Sequence, residues 1–277
     1  LCLLGGFFLS WGGLIIRLFE TNDIWQILLI RSLFFTIALT AFLFLTYKKN
    51  TIKVVKNSGF PAIIAGLFLS LSFVAYVVAM SKTTVANVVF IISTQTIFLA
   101  LFGFLFLKEK ITLKGLIAIT LAFAGMLVMV GDSINQGTLF GNIVAFAIPI
   151  NFTILVMIIR KFPDLDMVPA IFYSGIFSGI YGLVLASNLT FSSNDILMGF
   201  LLGVPQLAFG FICVTIGTKT TKAVTVGLLM LLETIFAPIW VWIFLNEVPP
   251  ISVFMGGAII ISAVILKSFD KSLKISD

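Results

Sequence analysis

One acidic side chain, Glu233, lies deep inside the apolar segments of this sequence, and Gln95 holds the equivalent place in an internal repeat. The two residues begin the segments ETIF and QTIF, which lie 138 residues apart. A carboxylate in the hydrocarbon of a bilayer costs a few kcal/mol or more, so such a residue usually has a function. The chemistry open to Glu233 is proton acceptance or pairing with a cationic group. The structural alternative is a protonated glutamic acid that hydrogen-bonds to a neighbouring helix.

A second charged residue, Arg31, lies seven residues into a predicted membrane span. Its side chain could snorkel to the interface, or it could be the counter-charge for Glu233 or for a substrate carboxylate. Asn87 lies two helical turns before Gln95 on the same helix face, which favours a polar cavity there. Other mid-span groups that could line such a cavity are Trp11, Tyr76, Asn151 and Gln206, although Trp11 could equally pack in the core.

The composition is typical of an integral membrane protein. Hydrophobic residues make up 60% of the chain and charged residues 10%, with a mean hydropathy of +1.22, whereas a soluble domain has about 25% charged residues. The net charge of +6 is spread over short loops, so nucleic acid is not an expected partner. The chain has no histidine, and its two cysteines lie in apolar runs. We therefore expect no histidine proton relay, zinc site, disulfide framework or cofactor.

Apolar runs long enough to cross a bilayer, which takes about 20 helical residues, occur ten times. We therefore predict an all-α integral membrane protein with ten transmembrane helices. The chain begins with Leu1 in an apolar run, from which we expect a fragment that lacks a short N-terminal piece. The predicted spans, numbered one to ten, are 1–18, 24–46, 59–81, 84–107, 112–131, 138–160, 167–187, 194–217, 222–245 and 250–268.

Lys and Arg residues are distributed asymmetrically between the predicted loops. Fourteen of the 17 lie in alternate connections and the C-terminal tail, whereas Arg17 and Lys82 lie on the opposite side and Arg31 is within a span. By the positive-inside rule, the 14 basic residues and both termini are cytoplasmic. The expected location is the plasma membrane, which in a bacterium is the inner membrane.

The second half of the sequence repeats parts of the first. KTTVA at 82–86 corresponds to KTTKA at 219–223, and FLKE at 106–109 corresponds to FLNE at 244–247. The two repeats are taken as residues 1–136 and 137–277. Because each holds five spans, an odd number, they enter the membrane from opposite sides and have inverted topology. Inverted repeats are typical of secondary transporters, whose site lies near the midplane where the halves meet.

Other polar and helix-breaking residues are expected to be structural. Glu109 and Glu247, at the ends of FLKE and FLNE, are predicted to stabilise the N-terminus of the next helix. Prolines at mid-span positions can kink their helices; these are Pro149, Pro205 and Pro238. Hydroxyl stripes are predicted to join neighbouring helices; they are Ser32, Thr36 and Thr40 in span two, and Ser174, Ser178 and Tyr181 in span seven.

Together with the ten-span repeat, a few short elements resemble the drug/metabolite transporter superfamily, and within it the EamA-type transporters. These elements are SWG at 10–12, Arg31, and the paired ends FLKE and FLNE, each followed by a Gly-rich span. The resemblance covers nearly the whole chain. Members of this family often have a proline after the acid in span nine, where this chain has Thr234.

The resemblance implies secondary transport of small metabolites, often export of amino acids or related compounds, by alternating access between the halves. Our leading hypothesis is an exporter of amino acids or related amines, with Glu233 and Gln95 in a midplane cavity and proton coupling at Glu233. The alternative is a passive uniporter or pore for small polar solutes such as nucleobases or quaternary amines. No catalytic arrangement stands out, so an enzyme is not expected. The expected partners are a small-molecule substrate, the lipid bilayer and protons, and no oligomeric state is predicted.

Overall fold

The computed structural model describes residues 1–83, 85–109, 111–130, 139–246 and 251–268, which form helices joined by short connections. The bounds of α3, α8 and α9 agree within two residues with the predicted spans two, six and seven. A 3-10 helix, Lys48–Asn50, joins α3 to α4, and a π-helical turn, Leu202–Ala208, joins α10 to α11. The helices are α1 (Cys2–Leu9), α2 (Gly12–Arg17), α3 (Ile24–Tyr47), α4 (Thr51–Lys82), α5 (Val85–Ser93), α6 (Gln95–Leu107), α7 (Leu113–Val130), α8 (Leu139–Lys161), α9 (Val168–Leu185), α10 (Ser193–Leu201), α11 (Phe209–Thr218), α12 (Ala223–Met230), α13 (Leu232–Leu245) and α14 (Ile251–Ser268).

The helices are long and apolar enough for a membrane. Large apolar side chains are exposed along them, as at Leu45 (78%) and Val184 (74%), which fits contact with lipid. Three shorter apolar stretches are Cys2–Arg17, Leu113–Val128 and Ile251–Leu266. Among the described residues, six helical stretches could cross a membrane by length and composition, namely Ile24–Lys82, Asn87–Leu107, Leu139–Lys161, Val168–Leu185, Ser193–Thr218 and Ala223–Leu245.

The longest stretch, Ile24–Lys82, contains two helices and a further bend. The chain turns between α3 and α4 at Lys48, whose φ is 49°. Within α4, Gly59 has φ 56° and ψ −158°, a left-handed conformation that glycine adopts without steric cost. Pro61 follows in the first turn after this bend, where its missing N–H costs little. Predicted span three therefore begins at the bend, although α4 itself starts eight residues earlier.

Among the described residues, three predicted spans are broken near the middle by one or two residues outside the helices, and none of these three interruptions contains a proline. α1 and α2 are separated at Ser10–Trp11, α5 and α6 at Thr94, and α12 and α13 at Leu231. The hydroxyls of Ser10 and Thr94 each donate to the carbonyl three residues earlier, at 2.6 Å, and such bonds compete with helical ones. The Leu231 N–H donates to the carbonyl three residues earlier, at 3.2 Å, which tightens that turn.

The main helix contacts join the first and second halves of the chain. α4 packs on α8 and α9, α7 on α14, α1 on α11, and α6 on α12. Glycine allows some of these close approaches, since a Cβ at Gly66 would lie only 2.6 Å from the carbonyl oxygen of Ala170. The hydroxyls of Ser32 and Ser178, 2.8 Å apart, join α3 to α9. These two stripe residues therefore act in helix packing, as expected.

At one end of the molecule, the α2–α3 connection is held to the α9–α10 connection. Asp195 accepts a hydrogen bond from the backbone N–H of Glu20 at 2.8 Å. Asp23, the N-cap of α3, accepts from the N–H of Trp25 at 2.9 Å, and from the N–H and hydroxyl of Ser187 at 2.8 and 2.7 Å. The α2–α3 connection is thus held to the first turn of α10 through Asp195 and to the α9–α10 connection through Ser187.

The structure gives Glu109 partners that the sequence did not indicate. Its carboxylate accepts a hydrogen bond from the backbone N–H of Ala223 at 3.0 Å and pairs with Arg160. It therefore stabilises the N-terminus of α12, a helix in the second half of the chain. Glu247 lies outside the described residues.

Candidate functional site

A cavity of about 70 Å³ lies where helices from both halves converge. It has room for several water molecules, since one needs roughly 10–15 Å³. Three phenylalanine rings, Phe73, Phe152 and Phe211, form its aromatic wall, and the rest of the apolar lining is aliphatic. Its polar lining consists of Arg31, Ser72, Tyr76, Gln95, Gln206 and Glu233.

Arg31 is held inside the protein and does not snorkel. It is 2% exposed, and its Nη2 donates to the carbonyl oxygen of Phe73 at 2.9 Å. Its guanidinium carbon lies 5.2 Å from the ring centre of Phe73 and 5.9 Å from that of Tyr76. Its Nε has no hydrogen-bond partner among the described residues. The cation is thus fixed in place by α4 and retains a donor for a further group.

Glu233 and Gln95 occupy corresponding positions at the cavity. Gln95 is the first residue of α6, just after the interruption at Thr94, and Glu233 is the second residue of α13, just after that at Leu231. A carboxylate in the first turn of a helix is stabilised by the helix dipole. Within the described chain, Glu233 and Arg31 line the same cavity without forming an ion pair.

Gln206 connects two irregular pieces of helix. It lies in the π-helical turn, and its Nε2 donates to the carbonyl oxygen of Leu9, at the end of α1, at 2.9 Å. A Cβ at Gly12 would lie 3.0 Å from this Nε2 and 3.2 Å from the hydroxyl oxygen of Tyr76, so the glycine makes room for both. Proline at position 205 was expected to kink span eight, and the π-helical turn contains it. Such turns often occur at functional sites.

Trp11 belongs to an aromatic cluster beside the cavity and does not line it. Its ring lies 5.9 Å from that of Trp240 and 5.9 Å from that of Phe7, both edge-to-face. Trp240 donates from its indole nitrogen to the hydroxyl of Ser10, at 2.8 Å, across the α1–α2 interruption. Trp240 was not predicted from the sequence, because an aromatic residue in an apolar span gives no indication that it bonds to Ser10 in a distant helix.

The two asparagines proposed from the sequence lie away from the cavity lining. The Asn87 side chain donates to the Thr83 hydroxyl at 3.2 Å, at the end of α4. Asn151 is 8% exposed and lies on α8 between the cavity residues Ile148 and Phe152, but is not itself part of the lining. The structure therefore brings five of the eight candidates together: Arg31, Tyr76, Gln95, Gln206 and Glu233.

The cavity is lined by a cation and an acid that form no ion pair with each other, together with amide side chains and an aromatic wall. Such an arrangement can bind a small molecule that carries both charges and an apolar group. Among the described residues, no group of three or more His, Cys, Asp or Glu side chains could hold a metal ion.

Two relatives of similar sequence are named as transporters. An uncharacterized transporter of Methanothermobacter thermautotrophicus is 27% identical over 209 residues, which are 69% of this chain and 59% of that protein. An uncharacterized transporter of Clostridium kluyveri is 25% identical over 266 residues, which are 90% of this chain and 85% of that protein. The chain thus spans less than two thirds of the first of these relatives.

A solved protein structure has the same fold, with a TM-score of 0.81 over 96% of this chain and 94% of that chain, at 13% identity. The EamA-like transporter family matches residues 1–131 and again residues 137–269. Two matches that together cover nearly the whole sequence leave no large segment unassigned. The chain therefore belongs to the EamA-like transporter family.

Proposed function

We propose that this chain is a secondary transporter that exports a small amphipathic zwitterion, of the amino-acid class, through the cavity between Arg31 and Glu233. The observation that carries the proposal is that these opposite charges line one cavity and are not paired with each other. A charge held in the apolar interior without an opposite charge beside it is costly, so a ligand that supplies both missing counter-charges gains binding energy.

The lining suggests how the substrate is oriented. Its carboxylate faces the guanidinium of Arg31, which is already held by the carbonyl of Phe73 and can donate from its remaining N–H groups. Its ammonium faces Glu233, and its apolar group packs on the aromatic wall. A simple amine would be repelled by Arg31 and a simple acid by Glu233, so the pair favours a zwitterion over either.

We further propose that the chain forms ten transmembrane helices in two inverted repeats of five, residues 1–136 and 137–277. When Ile24–Lys82 is counted as two helices, α3 and α4, the long and short apolar stretches of the described chain amount to five in each half. The matching interruptions before Gln95 and Glu233 also support this arrangement. Alternating access then moves the two halves about the cavity. Both termini lie in the cytoplasm and the chain lies in the plasma membrane.

A binding experiment on the purified protein tests the substrate class. A panel contains apolar L-amino acids, each with its decarboxylated amine and its deaminated acid, and the measurement is the shift in Tm with ligand. Amino acids should raise the Tm, whereas the amine and the acid should not. An amine that stabilises the protein as well as its amino acid would contradict the proposal.

Variants of Arg31 and Glu233 test which part of the substrate each charge binds. Arg31→Gln should lose discrimination against the amine, and Glu233→Gln should lose discrimination against the acid. Ser178→Ala, which removes a buried hydroxyl outside the cavity, is the matched control and should retain the selectivity of the parent.

Proton coupling at Glu233 is tested by transport in proteoliposomes with and without a pH gradient. The parent should accumulate the substrate against its concentration in response to the gradient. Glu233→Gln should only equilibrate the substrate across the membrane, because an amide side chain neither binds nor releases a proton at these pH values. Equal gradient-driven accumulation by Glu233→Gln would remove the residue from the coupling role. If accumulation by the parent does not depend on the pH gradient, the protein would instead be a passive uniporter.

A further inference from the structure

Three separate parts of the chain meet at the carboxylate of Glu109. Its Oε2 accepts from the N–H of Ala223 at 3.0 Å, and its Oε1 pairs with Nη2 of Arg160 at the end of α8. Arg160 also donates from Nη1 to the carbonyl oxygen of Lys219, at 3.4 Å. The side chains of Glu109 and Arg160 are 9% and 8% exposed. This cluster, Glu109 with Arg160 and the start of α12, is called the Glu109 lock.

The Glu109 lock lies at the end of a closed seam that leads to the cavity. Helix α6 runs from the cavity residue Gln95 toward Glu109, and α12 runs back from Ala223 to the cavity residue Met230. The two helices pack along each other, whereas α5 and α13 meet over a shorter stretch.

Two glycines bring the backbones of α6 and α12 together. A Cβ at Gly227 would lie 2.9 Å from the Cα of Thr96, and one at Gly103 would lie 3.2 Å from the Cβ of Ala223 and 3.3 Å from Oε2 of Glu109. No space for a solute is left between the helices at these contacts. The cavity is therefore closed along this seam.

We infer that the Glu109 lock holds the cavity closed on the side of the membrane that carries most of the basic loops. Glu109 comes from the first family match, and Arg160, Lys219 and Ala223 come from the second, so the lock ties the two halves to each other. This inference rests on the proposed transport by alternating access, because opening on this side would separate α6 from α12 and break the lock.

The chemistry suits a contact that must form and break. A mostly buried ion pair is neither a strong net stabiliser nor tolerant of losing one partner, because the remaining charge is then unpaired. The carboxylate also meets the positive end of the α12 dipole. Reversing the pair would keep the two charges but place a guanidinium against that helix end.

The test measures access to the cavity from each side. A reporter cysteine, Ser72→Cys, is placed in the cavity of the full chain after Cys2 and Cys213 are replaced by alanine. It is labelled with a membrane-impermeant methanethiosulfonate in right-side-out and inside-out vesicles, and the labelling rate is measured without substrate.

Glu109→Gln should raise the rate from the basic-loop side by about tenfold and lower the rate from the other side, as a shifted equilibrium requires. Arg160→Gln should act in the same direction, and the double variant should add nothing to either. The reversed pair, Glu109→Arg with Arg160→Glu, should not restore the parent rate. Lys161→Gln, which removes an exposed charge next to Arg160, is the control and should leave both rates unchanged.

An unchanged rate in Glu109→Gln would overturn the inference. So would an equal rise from both sides, since that indicates general loosening or misfolding, and so would additive effects of the two single variants. Because labelling needs no substrate, a positive result together with a failed amino-acid screen would reject only the proposed substrate class.

Discussion

The hydroxyl oxygens of Ser93 and Thr234 lie 2.8 Å apart and join the last residue of α5 to the third residue of α13. Both helices are interrupted beside this contact, at Thr94 and Leu231. One hydrogen bond thus connects the two interruptions, one from each half of the chain, at the level of Gln95 and Glu233. It fixes the relative position of the two residues that correspond in the internal repeat.

Removing this hydrogen bond should have a small but measurable effect. Interhelical hydrogen bonds in membrane proteins contribute about 0.6 kcal/mol on average. In a double-mutant cycle of Ser93→Ala and Thr234→Val, measured by equilibrium unfolding, we expect a coupling free energy of about that size. Ser81→Ala, which removes an exposed hydroxyl bonded only within its own helix, is the control. A coupling of zero would mean that the two hydroxyls act independently.

Two glycine-to-alanine substitutions should differ sharply in stability. A Cβ at Gly66 would lie 2.6 Å from the carbonyl oxygen of Ala170, whereas the nearest atom to one at Gly257 is 3.9 Å away. Overpacking typically costs about 1–3 kcal/mol. Gly66→Ala should therefore lower the Tm in detergent, and Gly257→Ala should leave it close to that of the parent. Equal effects would show that the α4–α9 contact tolerates an added methyl group.

Replacing Arg31 by an apolar residue should separate stability from binding. Arg31→Met removes a cation whose burial carries a desolvation penalty of several kcal/mol and that has no ion-pair partner among the described residues. We expect a Tm at least as high as that of the parent and a loss of amino-acid binding. Arg31→Lys keeps a charge without the planar fork and should bind at intermediate strength. A large fall in Tm in Arg31→Met would assign Arg31 a mainly structural role.

A methyl group at Gly12 should disturb the cavity wall without touching either charge. It would come within 3.0 Å of Nε2 of Gln206, which holds the carbonyl of Leu9. We expect Gly12→Ala to weaken amino-acid binding several-fold with a smaller change in Tm, measured by the ligand-induced Tm shift. Gly257→Ala serves again as the control. Unchanged binding would mean that the Gln206–Leu9 contact adjusts freely.

The contribution of Asp23 to stability should depend on pH. Burial opposes ionisation, but hydrogen bonds from Ser187 and from backbone N–H groups, including that of Trp25, lower the pKa of this carboxyl below its ordinary value. A lowered folded-state pKa gives a contribution that is complete well above pH ~4 and lost as the pH falls through the folded-state value. The Tm difference between the parent and Asp23→Asn should thus be constant from pH 7 to 5 and shrink in more acidic buffer. A difference that is independent of pH down to 3 would contradict this account.

Much of the helix layout follows from local sequence properties. Hydropathy alone places α3, α8 and α9 to within two residues, because the thickness of the hydrocarbon core sets the length of a spanning helix. The interruptions at Ser10–Trp11, Thr94 and Leu231 are harder to predict, because none of these three contains a proline. Pro238 was expected to kink span nine, yet the interruption lies seven residues earlier, at Leu231, and Pro238 stays inside α13.

The site could be predicted only in part. Glu233, Gln95 and Arg31 stand out because a polar group in an apolar span is costly wherever it lies. Their partners do not stand out: Phe73 holds Arg31 through a backbone carbonyl, which every residue has. The sequence puts Asn87 on the same helix face as Gln95, but the Asn87 side chain donates a hydrogen bond to the hydroxyl of Thr83 instead of pointing into the cavity lining. Tertiary neighbours decide these cases, and the local pattern does not contain them.

The position of α1 has a consequence for how the protein is made. Its main contacts are with α11, α12 and α13, and a Cβ at Gly5 would lie 2.5 Å from a methyl carbon of Val214, about 200 residues later in the chain. At a synthesis rate of roughly 5–20 residues per second, α1 waits about 10–40 seconds for these neighbours. During that interval its apolar sequence must keep it in the bilayer without these neighbours. Final assembly of the bundle therefore follows insertion, and a variant that makes α1 more polar should fail during biogenesis before it fails in the folded state.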